Sequence, residues 1–226
     1  MIRALVAVLL TFLPCAYFAN ELFEFVAEPL VKKLPKGGQV IATAVTAGFM
    51  TPLKLSIFIA LFAAMPYVLY QVWAFVAPGL YRHEKRFTIP LLTSSIVLFY
   101  VGAAFSYAFV FPVMFGFFAS TVPTGVTMMT DISSYLDFVL LVLFAFGVAF
   151  QMPIAVVLLV LIGAVSLDKL RGNRGYVLIA IFVVAAFLTP PDIISQSLMA
   201  APMYLLYEGG LLMARILSGA RRRPTD

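Results

Sequence analysis

Apolar residues fall along this chain in six runs separated by short polar punctuation. The runs cover about residues 4–23, 52–77, 90–118, 134–162, 176–189 and 195–214. A helix needs about 20 mostly apolar residues to cross the hydrocarbon of a bilayer. Lipid offers the backbone no hydrogen-bond partner, so each run is predicted to be a helix that satisfies its own amides. The fifth run is short: residues 176–189 reach roughly 21 Å, against a hydrocarbon core of about 30 Å. Pro190-Pro191 ends it abruptly, and the sixth run is interrupted by Pro202 and Glu208.

Composition makes lipid the solvent. Of 226 residues, 63% are hydrophobic and 11% charged, with a mean hydropathy of +1.07. Soluble domains carry about a quarter charged residues. The expected fold class is an all-α integral membrane protein, one six-span domain over residues 1–226. The opening MIRALVAVLLTFLPCAYFAN has the basic start and apolar middle of a signal peptide. It shows no A-x-A pattern before Asn20, so an uncleaved first span is expected. Spans three and four share a proline-bearing end, FVFP and FQMP, which is too little to make a duplication.

Charge sets the orientation. One side of the six-span map holds Arg3, Arg82, Lys85, Arg86, Lys169, Arg171, Arg174, Arg215 and Arg221 to Arg223; the other holds Lys32, Lys33, Lys36 and Lys54. Eleven against four places both termini in the cytoplasm. The net charge of +5 is distributed in short loop clusters rather than along an aromatic-rich stripe, which argues against nucleic acid.

Candidate chemistry is sparse. One cysteine, Cys15, and one histidine, His83, offer neither a disulfide nor a conventional metal site, and no cofactor is expected. The chain has no HExxH, P-loop or GxGxxG, and its histidine lies in a loop. Enzyme activity is not expected.

Polar residues within the spans are the remaining signal, since intramembrane polar groups are expensive and tend to face protein. Asp137 and Gln151 lie 14 positions apart in span four, two heptads, and project from nearly the same face. Gln151 has two readings: a hydrogen bond to a neighbouring span, or a docking point for another protein's transmembrane helix. Asp192 can cap the first turn of span six, with Gln196 one turn on, and Glu208 can snorkel or pair with Arg215. In the loop VAPGLYRHEKRF the cations serve topology, whereas Glu84 adds nothing to it. Glu84 either pairs locally with Arg82 or Arg86, or receives a cationic ligand; a carboxylate binds a guanidinium bidentately.

QVWAFVAPGLYRHEKR, TDISSYLDF, FGVAFQMP and LTPPDIISQ, in this order across six spans, resemble the TatC family. TatC is the polytopic subunit of the twin-arginine protein translocase. The likeness runs from about residue 5 to residue 215. It implies a cup-shaped six-helix bundle with short fifth and sixth spans in the bacterial cytoplasmic (inner) membrane. It implies a receptor for twin-arginine signal peptides of folded precursors, driven by the proton-motive force. Signal binding falls to Glu84 and Phe75, with Leu80 and Tyr81 between them, and Gln151 becomes the docking position for single-span partners of TatA and TatB type. Many relatives carry Glu at that position; Gln keeps the hydrogen bonding and cannot titrate. Pro29, Pro123, Asp131, Tyr135, Asp192 and Gln196 match family positions on the outer side. Self-association in a receptor complex is also implied.

The family usually opens with a cytoplasmic H-x-x-E-L-R-x-R segment that completes the signal site. Here Met1-Ile2-Arg3 directly precede the first span. Either a front segment lies outside this sequence, or signals bind on half of the usual surface. Two rival functions remain: a small-solute secondary transporter, which needs inverted repeats and broken helices at a polar midplane, and a purely structural scaffold, which would make Glu84 dispensable.

Overall fold

A computed structural model describes residues 2–24, 39–76, 88–121, 129–188 and 193–219. All six predicted spans are helical. Span one is α1, Ile2–Tyr17, with a further helical stretch at 19–24; span two is α2, Ala47–Val76. Span three is α3, Thr88–Phe105, which passes through a π-helical turn at Ser106–Val110 into α4, Phe111–Thr121. Span four divides into α5, Ile132–Ala149, and α6, Met152–Leu161; the short α7, Leu167–Gly172, follows. Span five is α8, Arg174–Leu188, and span six is α9, Ile193–Gly219. Among the described residues three segments, Ala47–Phe75, Ile89–Phe118 and Ile132–Leu161, are long and apolar enough to cross a membrane.

Proline accounts for the irregularities of spans three and four. Pro112 lacks an N–H and its ring crowds the carbonyl four residues back, and the helix widens into a π turn immediately ahead of it. Pro153 does the same to span four, which breaks at Phe150-Gln151. The FVFP and FQMP ends thus share a mechanical role, a local release of helical bonding.

The chain forms two compact units. The first contains residues 1–72 and 107–143. It holds the one strand pairing among the described residues, β1 (Gln39–Ile41) parallel to β2 (Met129–Asp131). Each strand leads into a long helix, β1 into α2 and β2 into α5. Thr51 Oγ1 lies 2.7 Å from Ser133 Oγ, and Lys54 Nζ is 2.6 Å from Asp137 Oδ2. The partners advance together along both helices, so α2 and α5 run parallel, as spans two and four must in a six-span map. Phe115 stacks on the buried Tyr135 at 5.3 Å, giving this unit an aromatic centre.

The second unit contains residues 73–106 and 144–226. Trp73, Leu91, Ile154, Val157, Tyr207 and Leu211 form its main buried cluster. Close backbone approach fixes its helices. A Cβ on Gly102 would stand 2.6 Å from Phe146 O, and one on Gly147 would stand 2.7 Å from Phe99 Cε2. Gly210 of α9 lies equally tight on α6, where a Cβ would meet Pro153 Cα at 2.8 Å. Small residues at helix crossings are the usual device for close packing in membranes.

Glu208 acquires a partner that sequence spacing did not suggest. Its carboxylate accepts from Arg174 Nη2 at 2.8 Å and from Tyr204 Oη at 3.0 Å. Arg174 is the first residue of α8, so Glu208 sits level with the start of span five. Only the part of α9 before Glu208 matches the 15 residues of α8 in depth. Fifteen residues span about 22 Å, shorter than a bilayer core. Span five is short as expected, whereas α9 runs over 27 residues, through Pro202 to Gly219, and is not a short helix.

Candidate functional site

Of the predicted signal-binding residues, Phe75 falls within the described residues; Leu80, Tyr81 and Glu84 lie outside them. Phe75 is 84% exposed at the end of α2, while Trp73 two positions earlier is buried. Adjacent positions on one helix thus divide their labour: the indole anchors the helix in the core of the second unit, and the phenyl ring is presented outward.

Gln151 occupies the break in span four. It stands as N-cap of α6, yet its side chain makes no capping bond. The amide instead reaches α3. Ser95 Oγ donates to Gln151 Oε1, and Gln151 Nε2 donates to Ser95 O at 3.0 Å. The intramolecular reading of Gln151 is therefore realised. One amide N–H and one oxygen lone pair stay uncommitted by these two bonds. Asp137, which the 14-residue spacing set on the same face, belongs to the other unit and pairs with Lys54.

Asp131, one of the predicted outer-side residues, accepts four hydrogen bonds. Oδ1 accepts from Thr43 N at 3.1 Å and Thr43 Oγ1 at 2.9 Å; Oδ2 accepts from Ser134 N and Oγ at 3.0 Å each. The carboxylate caps the first turn of α5 and ties it to the segment after β1. The backbone N–H of Ser134, then that of Thr43 and its hydroxyl, hold the Asp131 carboxyl well below the usual carboxylate range. Tyr135 is buried one turn later. Gln196 Nε2 donates to Phe182 O at 2.8 Å and joins α9 to α8. Pro29, Pro123 and Asp192 lie outside the described residues.

Three participants were not singled out from sequence. Ser134 was legible in principle, since Asp-x-x-Ser at a helix start is a capping pattern. Thr43 and Ser95 act 88 and 56 positions away from their partners, and no local spacing reveals them. Among the described residues no group of three or more His, Cys, Asp or Glu is placed to hold a metal ion.

Comparison with known proteins accounts for this arrangement. Residues 1–202 match the family model "Sec-independent protein translocase protein (TatC)". The chain is 54% identical over 217 residues to the TatC protein of Azotobacter chroococcum mcd 1, covering 96% of this chain and 85% of that one. It is 50% identical over 222 residues to TatC of Escherichia coli strain K12, covering 98% and 86%. A crystal structure of the twin arginine translocase receptor TatC superimposes with a TM-score of 0.84 at 36% identity, covering 96% of this chain and 95% of the other. The six helical spans, the family motifs and these likenesses lead to one conclusion: the chain belongs to the TatC family of Sec-independent protein translocase proteins, a family of translocase subunits and not of enzymes.

Proposed function

We propose that this chain is the signal receptor and core subunit of a twin-arginine translocase. A signal peptide bearing paired arginines lands on the first cytoplasmic loop. Glu84 accepts a guanidinium in a charge-assisted, bidentate pair worth about 1.5–3 kcal/mol. Phe75, Leu80 and Tyr81 line the apolar edge of that surface, and the neighbouring cations discourage basic peptides that lack the right geometry. The chain works as one membrane domain over residues 1–226 in the bacterial inner membrane, with both termini in the cytoplasm. The eleven-to-four distribution of basic residues supports that orientation.

Single-span subunits of TatA and TatB type dock at Gln151, whose chain neighbours Phe150 and Pro153 line an apolar groove of about 330 Å³ that Pro202 closes on the α9 side. Receptor copies self-associate, and the proton-motive force drives passage of the folded precursor. Asp131, Tyr135 and Gln196, with Pro29, Pro123 and Asp192, shape the outer side.

The observation that carries this reading is the likeness, over nearly the full length, to a solved twin-arginine translocase receptor. Membership of a translocase family sets aside the small-solute transporter. The test is export of a folded twin-arginine reporter in a strain depleted of this protein. Complementation by the chain supports the reading; a reporter that stays in the cytoplasm although the chain is inserted overturns it.

A further inference from the structure

Three consecutive hydroxyl residues, Thr93, Ser94 and Ser95, lie on α3. Thr93 Oγ1 donates to Ile89 O at 3.0 Å and Ser94 Oγ to Pro90 O at 2.8 Å, each closing onto its own helix four residues back. This is the default for a hydroxyl inside a helix. Ser95 departs from it. Its hydroxyl crosses to Gln151, and its carbonyl takes the Gln151 N–H in return. Ser95 is 2% exposed, whereas Gln151 is only half-buried.

The two ends of an amide are chemically distinct, and the Ser95 carbonyl tells them apart: it can only accept, so it requires the nitrogen. The hydroxyl then donates to the oxygen that is left. A flipped amide would set its oxygen against the carbonyl, acceptor against acceptor. Position and orientation of the side chain are thereby fixed, and so are the directions of the remaining N–H and lone pair. Fixing them by local helix geometry is not possible here: Gln151 sits in a break, and Pro153 has no N–H to offer the Ala149 carbonyl.

We propose that Ser95 is a positioning residue that aims Gln151 at the partner helix, an inference that rests on the reading of Gln151 as a docking point. The spacing of α3 and α5 does not depend on this pair. The close contacts at Gly102 and Gly147 set it through backbone and ring atoms. Removing the Ser95 hydroxyl therefore releases the amide without opening the bundle. The seat also disfavours an ionised carboxylate, because the carbonyl of Ser95 demands a proton on whatever atom faces it.

The test is recovery of single-span partner subunits with the full-length chain, co-expressed and purified in mild detergent. Ser95→Val and Ser95→Thr have the same shape and differ in the hydroxyl. Ser95→Val is expected to lower recovery about threefold, the equivalent of about 0.6 kcal/mol for one interhelical hydrogen bond in a membrane. Ser95→Thr is expected to retain it, and the melting temperature of Ser95→Val to lie no more than about 1–2 °C below that of Ser95→Thr. Gln151→Leu should lower recovery as well, and combining it with Ser95→Val should add nothing further. If Gln151→Leu lowers recovery and Ser95→Val matches Ser95→Thr, the positioning role is overturned and docking stands. Normal recovery with Gln151→Leu overturns the docking reading itself, and this inference with it.

Discussion

Gly209 and Gly210 are neighbours on α9 with opposite surroundings, and that contrast gives a test of the packing. A Cβ at Gly209 would meet nothing within 4 Å. One at Gly210 would stand 2.8 Å from Pro153 Cα, 3.1 Å from Val156 Cβ and 3.3 Å from Pro153 O. Carbon atoms settle at about 3.5–4.0 Å, so the backbone of α6 must move by roughly 0.7 Å to admit a methyl group. Overpacking of this kind costs about 1–3 kcal/mol. Both positions gain about 1 kcal/mol of helix propensity on replacement by Ala, and this gain cancels between them. Gly210→Ala should therefore be less stable than Gly209→Ala by about 1–3 kcal/mol, a gap of roughly 2–12 °C in Tm for a chain of this size. Trp73, the single tryptophan, is buried in the same cluster as Val156 and Leu211 and reports the transition by fluorescence in detergent. Equal stability of the two variants, or a more stable Gly210→Ala, would refute the close approach of α9 to α6.

Two further outcomes follow from the first unit. The Asp131 carboxyl is held below its ordinary value of 3.8, so its contribution is complete well above that value and declines as pH falls through it toward the folded value. Melting temperature followed from pH 7 to pH 3 (about the accessible range for carboxylates) should fall more steeply for the native chain than for Asp131→Asn; parallel curves would remove the clasp. The Lys54–Asp137 pair is about half-exposed at both side chains, so Lys54→Ala should lower stability by no more than about 1 kcal/mol. The exchange Lys54→Asp with Asp137→Lys should recover that loss, and failure to recover it would deny the parallel register of α2 and α5.

Span positions were legible because lipid imposes one rule, a run of apolar residues, and the runs at 52–77, 90–118 and 134–162 became the three long helical segments with ends moved by a few residues. The strand pair was not legible. QVI and MTD are three residues each, 90 positions apart in register, and neither is distinguishable from loop by pattern. FVFP and FQMP stood out only as a shared pattern, and neither the π turn ahead of Pro112 nor the break ahead of Pro153 was read from them. Glu208 illustrates the same limit. Helical spacing suggested Arg215 on its own element, and the structure supplies Arg174, 34 positions upstream, because α8 and α9 lie side by side. The predicted site divides in the same way. Gln151 was visible as a polar residue within a span and Asp131 through its family motif, whereas Ser95 and Thr43, which hold them, are ordinary hydroxyls until the fold brings them near.

Capture of a twin-arginine signal by a carboxylate is the claim on which the function depends. Its most direct measurement is site-specific cross-linking of a twin-arginine precursor to the native chain and to Glu84→Ala, in membranes where both are inserted to equal levels. The account expects the native adduct to disappear in the variant and to be absent for a precursor with paired lysines. An adduct of undiminished yield from Glu84→Ala would contradict it.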